Sequence, residues 1–487
     1  MHFQLAYHSY IERYPTKLLA LYHALRDAMV EGRVVDCGTR LPSTRELAAL
    51  YELSRGTVNQ VYDMLASEGY VHCVIGRGTF TAYRNDRTES EADGSGRESV
   101  YPLSGWGKRF ESAAQLEEAA PLQKPAVVDF DRFAPDLHAF PFEAWHRCLF
   151  AQVREVGGDA PSERVPPQGY EPLRAAISQM LRRSRGIVAG PEQIAVTGGS
   201  MQAIALLAQL LAGPDETAVA ETPAYKGIRR AIAAAGGSCI DAPVDAQGIV
   251  PADWEAAALF VTPARQFPTG AVLSLERRQA LLRWAETRNA VIVEDDYDSE
   301  FRHRGKSLEP LKVLDRGERV VYLGSFTKTM LPYVRIGYAV LPPGLVEPFR
   351  RAMELYAPQP VNLLEQRALA AFMHSGEYER HLRRMKRVYS RKFALLLQEV
   401  TTELSAWFDW VPSDAGLHVF GWWKGSAESY FECKRLSGEL GVRWSEAQSE
   451  DALTGRRRMG VYLNFPHLSE EDIERGVLRI KQAGEAL

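Results

Sequence analysis

One short stretch of the sequence carries four side chains that together could hold an aldehyde cofactor. Ser325, Thr327 and Lys328 follow an apolar run at 320–323, and Arg335 lies seven residues beyond the lysine. A lysine amine forms a Schiff base with pyridoxal 5'-phosphate, while hydroxyl groups and a guanidinium suit its phosphate. On these residues alone, a solvated turn followed by an unrelated arginine is an equally good interpretation.

A glycine turn predicts the second half of a phosphate site. Residues 194–197 form a predicted strand, and the turn Gly198, Gly199, Ser200 leads into a predicted helix that starts at Met201. Backbone N–H groups and the positive end of the dipole at such a helix N-terminus bind anions. The turn is a weak signal alone and gains weight from Lys328 and Arg335.

The predicted strand at 290–294 ends in an acidic segment that suits the cofactor ring. We expect Asp295 to hold the pyridine nitrogen and Tyr297 to bond the ring's phenolic oxygen. Side chains alternate along an extended segment, so Asp296 should point to the other side. Tyr225, after a strand at 217–220, could stack on the ring. Helix capping or a metal ligand is the alternative for the carboxylates, and ordinary packing is the alternative for Tyr225.

The first 84 residues predict a winged helix-turn-helix domain. Helical patterns at 16–32, 43–51 and 54–69 precede a hairpin over 70–82, and the third helix should enter the major groove. The residues expected to contact DNA are Arg55, Thr57 and Asn59 at the bases, with Ser43, Thr44, Arg45 and Arg77 at phosphates. A small helical interaction domain is the alternative.

Composition limits the class of protein. With 46% hydrophobic and 25% charged residues and a net charge of -4, the chain is expected to be globular and not basic overall. The first 84 residues hold nine Lys and Arg against eight Asp and Glu, so affinity for DNA should depend on a dimer and two half-sites. No C-x-x-C pair, apolar run of 18 residues or signal-peptide pattern occurs, which predicts no metal site, no membrane span and a cytoplasmic location.

The polar stretch after residue 84 separates two parts of the chain. It has small and charged residues without apolar periodicity and predicts a linker over 85–126, with Trp106 and Phe110 placed to dock on a domain. From 127 to 487, strands and helices alternate, which predicts a mostly parallel α/β sheet. The predicted domains are therefore 1–84 and 127–487.

These motifs resemble known families. Residues 41–48, 54–58 and 76–80 resemble the winged helix of GntR-type regulators, and 127–487 resembles fold-type I aminotransferases. The loop at 262–270, the run at 294–301 and the fusion itself resemble MocR/GabR-type regulators. The resemblance implies a winged helix (α+β), an α/β PLP-dependent transferase fold with a smaller C-terminal α+β subdomain, and a head-to-tail homodimer. It also implies double-stranded operator DNA and a small amino-compound effector as partners.

Two positions depart from the aminotransferase pattern. Phe267 stands where an asparagine usually contacts the ring oxygen, and Tyr462 stands where an arginine usually binds the substrate carboxylate. Arg265, Arg443 or the run at 456–458 could bind the effector instead. We therefore expect a domain that senses an amino compound or PLP, with at most weak transamination. A working aminotransferase with an appended DNA-binding domain is the alternative.

Overall fold

A computed structural model describes residues 5–30, 37–83, 102–114, 126–156, 165–305, 308–450 and 457–487. The chain divides into two units, Met1–Tyr101 and Pro102–Leu487. The first unit contains helices α1 (Tyr7–Arg13), α2 (Lys17–Val30), α3 (Thr44–Leu50) and α4 (Arg55–Ser67), and strands β1 (Val71–Val74) and β2 (Gly78–Thr81).

The helices of the second unit are α5 (Gly105–Ala114), α6 (Phe142–Val156), α7 (Glu171–Arg185), α8 (Ser200–Leu211), α9 (Lys226–Ala235), α10 (Leu275–Arg288), α11 (Leu311–Leu314), α12 (Pro343–Tyr356), α13 (Leu363–His374), α14 (Glu377–Glu403), α15 (Ala427–Glu439) and α16 (Glu470–Glu485). Its strands are β3 (Val128–Asp129), β4 (Ile194–Thr197), β5 (Thr217–Thr222), β6 (Ser238–Asp245), β7 (Gly248–Ile249), β8 (Ala258–Val261), β9 (Val291–Asp296), β10 (Val320–Ser325), β11 (Gly337–Val340), β12 (Phe408–Trp410), β13 (His418–Trp423), β14 (Val442–Arg443), β15 (Ser445–Glu450) and β16 (Arg457–Asn464).

The first unit is the predicted winged helix. Ser43 and Glu46 form a capping box that starts α3, and Ser54 caps α4 by accepting a hydrogen bond from the Thr57 backbone N–H at 3.0 Å. The apolar faces of α2 and α4 share one core that includes Leu25 and Val61. Strands β1 and β2 pair antiparallel as the wing. Helix α1 was not expected from the sequence.

The second unit is built on an eight-stranded sheet in the order β4-β11-β10-β9-β8-β5-β6-β7. Strands β10, β9, β8, β5 and β6 run parallel, and β11 is antiparallel to both of its neighbours. Helices α8, α9 and α12 cover one face of the sheet, while α7, α10 and α13 cover the other. Because both faces of the sheet are covered, strands β4, β8, β10 and β11 are apolar along most of their length. The expected mostly parallel α/β sheet is confirmed.

A smaller C-terminal subdomain is also confirmed. Its antiparallel sheet has the order β12-β13-β16-β15. Residues of α14, α15 and α16 share a core with this sheet, including Tyr389, Tyr430 and Ile480. The short parallel pair β14–β3 ties this subdomain to the segment that enters the second unit.

Helix α5 lies within the segment predicted as a linker. It packs against α9, and Arg109 Nε donates a hydrogen bond to the Ala234 carbonyl oxygen at 3.3 Å. The rings of Trp106 and Phe110 contact each other edge to face, with centroids 4.4 Å apart. The rest of the predicted linker, apart from residues 102–114 and 126, lies outside the described residues.

Candidate functional site

The predicted cofactor residues meet at one edge of the large sheet. Strands β4, β5, β8, β9 and β10 all end at this edge, because β11 reverses direction between β10 and β4. In open α/β sheets, ligands bind outside the carboxyl ends of the strands. The fold therefore gathers side chains that are more than 100 residues apart in the chain.

Lys328 lies on a short 3-10 turn, Phe326–Lys328, directly after β10. Ser325 caps this turn by accepting a hydrogen bond from the Thr327 N–H at 3.1 Å, and its hydroxyl donates to Thr327 Oγ1 at 2.9 Å. The lysine Nζ lies 3.4 Å from the centre of the Phe133 ring. Burial lowers the pKa of Lys328 to about 7, with a further lowering by Arg335 that opposes the nearby carboxylates. A large share of this amine is therefore neutral and nucleophilic near neutral pH.

The two aspartates at the end of β9 have opposite environments. Asp296 faces Arg185 of α7 and accepts a hydrogen bond from the Tyr322 hydroxyl at 2.7 Å. Asp295 Oδ1 is buried and has no hydrogen-bond partner among the described residues. Burial and the charge of Asp296 raise the pKa of Asp295 to about 7, against the opposing charge of Lys328. An orphaned buried carboxylate oxygen of this kind fits a protonated pyridine nitrogen as its partner.

The glycine turn and Arg335 form a cradle beside the lysine. Gly199 is the N-cap of α8 at a φ of 111°, and no side chain caps this helix. A Cβ at Gly199 would lie 3.0 Å from the Arg335 guanidinium, so only glycine allows this approach. Ser200 and Met201 begin the helix at this point. A dipole-directed turn with an adjacent guanidinium fits a phosphate group.

Asn362 positions Arg335. The Arg335 backbone has a φ of 48°, a left-handed conformation that is unfavourable for a residue with a Cβ. The Asn362 side-chain amide donates to the backbone oxygens of Val334 and Arg335 at 3.2 and 3.1 Å. No feature of the sequence near Arg335 pointed to this asparagine, which comes from the start of α13.

Arg265 is buried among polar groups of the protein. It is 4% exposed, and its Nη1 donates to the Tyr297 hydroxyl and to Asp298 Oδ2, both at 2.9 Å. Its Nη2 donates to the His418 carbonyl oxygen at 2.8 Å. Gly416, at a φ of 100°, leaves room for the guanidinium. The arginine that the sequence offered as an effector ligand is thus bound within the protein, next to the predicted ring-oxygen residue.

His418 completes this buried cluster as a neutral ring. Its Nε2 lies 2.8 Å from the Pro268 carbonyl oxygen, which can only accept, so Nε2 carries the proton. Its Nδ1 then accepts from Arg265 Nη1 at 3.3 Å. Burial and the Arg265 charge lower the pKa of His418 well below its ordinary value. Burial raises the pKa of Tyr297 well above 10, so the phenol is protonated.

Phe267 occupies the centre of an aromatic group at the mouth of the site. Its ring makes edge-to-face contacts with Tyr297, His418 and Tyr462 at centroid distances of 5.5, 5.7 and 5.4 Å, and a looser one with Tyr225 at 6.4 Å. Tyr225 is 41% exposed at the start of α9. Phe267, which stands where the aminotransferase pattern has an asparagine, thus packs against aromatic rings and makes no polar contact through its side chain.

A cleft of about 1430 Å³ opens beyond Phe267, lined by residues 222–226 and by β14, β15 and Tyr462. The Ser445 hydroxyl donates a hydrogen bond to the Asp131 carboxylate there, and Tyr462 lines the same cleft. Arg443 lines the same cleft, and its side chain has no hydrogen bond or ion pair within the described residues. Of the two predicted effector arginines, only Arg443 offers a free guanidinium to a ligand in the cleft.

The predicted DNA-contacting residues lie along the helix-turn-helix and the wing. Arg45, Arg55, Asn59 and Arg77 are exposed. The remaining three are partly engaged: Ser43 caps α3, Thr44 is half-buried, and the Thr57 hydroxyl lies 2.8 Å from Ser54 Oγ. Arg45, Arg55, Asn59 and Arg77 are therefore the predicted side chains that are both exposed and not used to cap a helix.

The described residues show neither a metal site nor a membrane-spanning helix. They contain no group of three His, Cys, Asp or Glu side chains placed to hold a metal ion. No helix among them combines the length and apolar character needed to span a bilayer.

The chain matches two family models. Residues 158–480 match aminotransferase class I and II, and residues 18–81 match the gntR family of bacterial regulatory proteins. The probable rhizopine catabolism regulatory protein MocR of Rhizobium meliloti is 33% identical over 96% of this chain and 93% of its own length. The pyridoxine biosynthesis regulator PdxR of Corynebacterium glutamicum is 32% identical over 80% of each chain.

Solved aminotransferases share the fold of the second unit. LysN, an alpha-aminoadipate aminotransferase from Thermus thermophilus complexed with N-(5'-phosphopyridoxyl)-L-leucine, is 26% identical, with a TM-score of 0.67 over 79% of this chain and 99% of its own. A Pyrococcus horikoshii kynurenine aminotransferase is 22% identical, with the same TM-score of 0.67 over 79% of this chain and 95% of its own.

Proposed function

The chain belongs to the MocR-type transcriptional regulators, which join a GntR winged helix to an aminotransferase-like domain, and we propose that its second unit binds pyridoxal 5'-phosphate at Lys328 to sense an amine. The first unit binds DNA, as its family does. We also propose which residues hold the cofactor, which class of effector binds, and that the protein forms a dimer.

The unpartnered Asp295 oxygen beside Lys328 is the observation that carries the proposal. A buried carboxylate without a partner costs stability unless a ligand supplies a donor. Bound pyridoxal phosphate supplies an aldehyde that condenses with primary amines, and a ring nitrogen that is a donor when protonated. Lys328, with its pKa lowered to about 7, presents a neutral amine to that aldehyde.

The phosphate ligands in this proposal come from three segments. Arg335 supplies the positive charge, the first N–H groups of α8 at Ser200 and Met201 supply dipole-directed donors, and Ser325 and Thr327 supply hydroxyls. Asn362 holds the Arg335 backbone in its left-handed conformation. These groups would hold a bound ligand by its phosphate, and Lys328 lies in the same cradle.

Tyr297 and Arg265 form the contact to the ring oxygen in this proposal. Because the Arg265 guanidinium donates to the Tyr297 hydroxyl, the phenolic proton is free to point at another acceptor. The positive charge also makes Tyr297 a stronger donor. Arg265 thereby acts in place of the asparagine that Phe267 replaces, and it does so through Tyr297.

The effector site in this proposal is the cleft beside Arg443. An arginine there favours an anionic group on the effector, while Asp131, Ser445 and Tyr462 disfavour a carboxylate at the place where aminotransferases of this fold usually carry an arginine. The cleft therefore suits a primary amine whose anionic group lies away from the amine carbon. Such an amine binds without the carboxylate grip that sets the geometry for transamination.

Regulation follows if the effector binds one arrangement of the protein better than another. Its differential affinity then shifts the equilibrium towards that arrangement. Whatever factor the effector changes in the affinity for DNA, DNA changes in the affinity for the effector. A head-to-tail homodimer with two half-sites suits the nearly neutral first unit, because each winged helix alone offers few phosphate contacts.

An absorption spectrum of purified protein tests the cofactor proposal. We expect visible absorbance that remains after gel filtration and disappears in Lys328→Ala. After borohydride reduction, peptide mapping should find the pyridoxyl group on Lys328. A label on another lysine would refute the assignment. A purified protein that contains no cofactor and takes up none when pyridoxal 5'-phosphate is added would refute PLP binding altogether.

A further inference from the structure

The Phe133 ring lies against the reactive amine, and none of the binding roles described above uses it. The Lys328 Nζ is 3.4 Å from the centre of this ring, so the nitrogen is in van der Waals contact with the aromatic face. Phe133 is half-buried and lies between β3 and α6, outside the strands that carry the cofactor residues. A ring in this position limits which atoms can lie beside the amine.

The backbone on the N-terminal side of Phe133 is held by the C-terminal subdomain. The Asn464 side-chain amide donates to the backbone oxygens of Phe130 and Asp131 at 2.9 and 3.2 Å. The Asp131 carboxylate accepts a further hydrogen bond from the Ser445 hydroxyl. Because Asn464 and Ser445 belong to the paired strands β16 and β15, one sheet fixes the segment that leads to the ring.

The backbone on the C-terminal side of Phe133 is held by α14. The Asp136 N–H donates to the Tyr389 hydroxyl at 2.8 Å, and the Asp136 carboxylate accepts from Lys392 Nζ at 2.8 Å. This ion pair is buried, so water screens it little. Withdrawal of the segment from Lys328 would therefore require several of these hydrogen bonds to break.

Packing restricts the ring itself. It packs against the apolar core of the C-terminal subdomain, and it meets the His418 ring edge to face with centroids 6.4 Å apart. His418 is fixed in turn by Pro268 and Arg265. Phe133 thus has a defined place on one side of the lysine nitrogen.

The contact distance has a steric consequence for an amine that binds in place of Nζ. A carbon atom bonded to that nitrogen and directed at the ring would lie about 2 Å from the ring centre, given a carbon–nitrogen bond of about 1.5 Å. Non-bonded carbon atoms stay roughly 3.5–4.0 Å apart. An amine carbon that is a CH2 group can turn its hydrogen atoms towards the ring, whereas a branched amine carbon brings a second carbon against it.

We propose that Phe133 determines effector specificity by admitting amines whose amine carbon is a CH2 group and disfavouring amines that are branched at that carbon. This inference rests on the proposed function, because it concerns the amine that takes the place of Lys328 Nζ. It adds a selection by shape to the selection by charge that Arg443 provides. α-Amino acids other than glycine are branched at the amine carbon and belong to the disfavoured class.

Two isomeric amines test the proposal with the full-length, cofactor-loaded protein. n-Propylamine and isopropylamine have the same atoms and charge, and they differ in branching at the amine carbon. The measured quantity is the ratio of the concentrations that produce half of the change in the cofactor spectrum. The test variants are Phe133→Ala and Phe133→Leu, of which the second retains a larger apolar side chain. Trp407→Leu is the matched control, because Trp407 packs against the same core but lies over Gly484 of α16.

We expect the wild-type protein to require at least about tenfold more isopropylamine than n-propylamine, the usual selectivity for one misfitting carbon. Phe133→Ala should lower this ratio at least about fivefold because the space beside the amine is then open, with Phe133→Leu in between. The control should retain the wild-type ratio, and thermal melting verifies that each variant is folded. A ratio unchanged in both Phe133 variants, or lowered equally in the control, would overturn the proposal.

Reductive alkylation of the cofactor-free chain gives a readout that does not depend on the cofactor. With cyanoborohydride, propanal adds an n-propyl group to a lysine amine, and acetone adds an isopropyl group. Mass spectrometry compares the labelling of Lys328 with that of Lys108, an exposed lysine on α5. Relative to Lys108, Lys328 should receive at least about tenfold less isopropyl than n-propyl label, and Phe133→Ala should remove the difference.

The two experiments separate failure of this inference from failure of the proposed function. A protein that takes up no PLP but shows the alkylation preference would refute the proposed function and support the steric role of Phe133. A protein that binds PLP but shows no preference in either experiment would refute the role of Phe133 alone.

Discussion

The cofactor end and the effector end of the candidate site are built in different ways. At the cofactor end, Asp295, Ser325 and Lys328 lie on or directly after the strands that position them. At the effector end, Asp131, Arg443 and Tyr462 come from a short entering segment and from the C-terminal subdomain. The residues of the cofactor end lie within short sequence motifs and follow the aminotransferase pattern. The residues of the effector end depart from that pattern.

The fold thus uses different elements for the proposed binding of the cofactor and of the effector. The cofactor end is fixed by buried backbone and by hydrogen bonds within the large sheet, so the ligand pose there should vary little among proteins of this fold. The effector end depends on side chains of the smaller sheet, where a single replacement, such as Tyr462 for an arginine, alters which ligand charge is bound.

The largest expected effect is the loss of bound cofactor when Lys328 is removed. Lys328→Ala should abolish the visible absorbance of the purified protein, because Lys328 is the amine that lies beside Asp295 and Arg335. Arg443→Gln, at the effector end, should leave the spectrum unchanged. The absorption spectrum of each purified variant measures both. A colourless Arg443→Gln protein would show that the two ends are not separable.

The second prediction concerns turnover. A cognate amine should change the cofactor spectrum within seconds, whereas conversion to the pyridoxamine form should be slower by a factor of about 100 or more, because no arginine aligns the amine carbon at Tyr462. Stopped-flow absorbance with a panel of amino acids and amines measures both phases. Sustained turnover of about 1 per second or faster would favour the aminotransferase interpretation instead.

The third prediction compares the two aspartates of β9. Asp295→Asn should weaken cofactor binding by a factor of roughly 100, the value of a lost charge-assisted hydrogen bond. Asp296→Asn should leave that affinity nearly unchanged and lower the melting temperature, because Arg185 would lose its buried partner. Cofactor titration and thermal melting separate these outcomes. Equal losses of affinity would remove the argument from strand alternation.

The fourth prediction concerns the effector end. Arg443→Gln should weaken the spectral response to an effector with an anionic group by roughly tenfold, the value of one exposed charge-assisted hydrogen bond. Arg435→Gln is the matched control, because Arg435 lines the same cleft but pairs with Glu432 and Glu439. Its response should match the wild type. Equal losses in both variants would indicate a general charge effect of the cleft.

The smallest expected effect is a pH dependence at the cofactor end. Lys328 reacts as the neutral amine, and its pKa in the protein is lowered from the usual 10.5 to about 7. Cofactor association with the apo protein should therefore quicken as the pH rises through 7, by about fourfold between about pH 6.5 and about pH 8, and then level off. Mixing kinetics at several pH values measure it. A rate that still rises tenfold per pH unit above about pH 8 would indicate an unperturbed lysine.

Much of the fold followed from local patterns. Capping by Ser43 and Ser54, the glycine turn before Ser200, and the apolar runs at 194–197 and 320–323 each specify an element through hydrogen bonds or burial within a few residues. The winged helix and the mostly parallel sheet could be predicted for this reason. Alternation along β9 likewise separated Asp295 from Asp296, because a strand exposes successive side chains on opposite faces.

Contacts between distant segments could not be predicted. Phe133 lies under the Lys328 amine, Asn362 holds the Arg335 backbone, and Asp131 lies beside Ser445. These partners are separated in sequence by 27 to more than 300 residues, and no spacing rule connects them. The sequence offered Arg265 and Arg443 as equivalent effector ligands, and local pattern contains nothing that distinguishes them.

The sequence by itself determined which elements form, that a DNA-binding unit precedes an aminotransferase-like unit, and which residue types meet at the sheet edge. Those features depend on hydrogen bonds and apolar periodicity within single elements. Only the tertiary structure decided that Arg265 is buried against Tyr297 and His418 while Arg443 remains free in the cleft. The availability of a charged side chain is set by what surrounds it, and those neighbours are brought together by the packing of the two sheets.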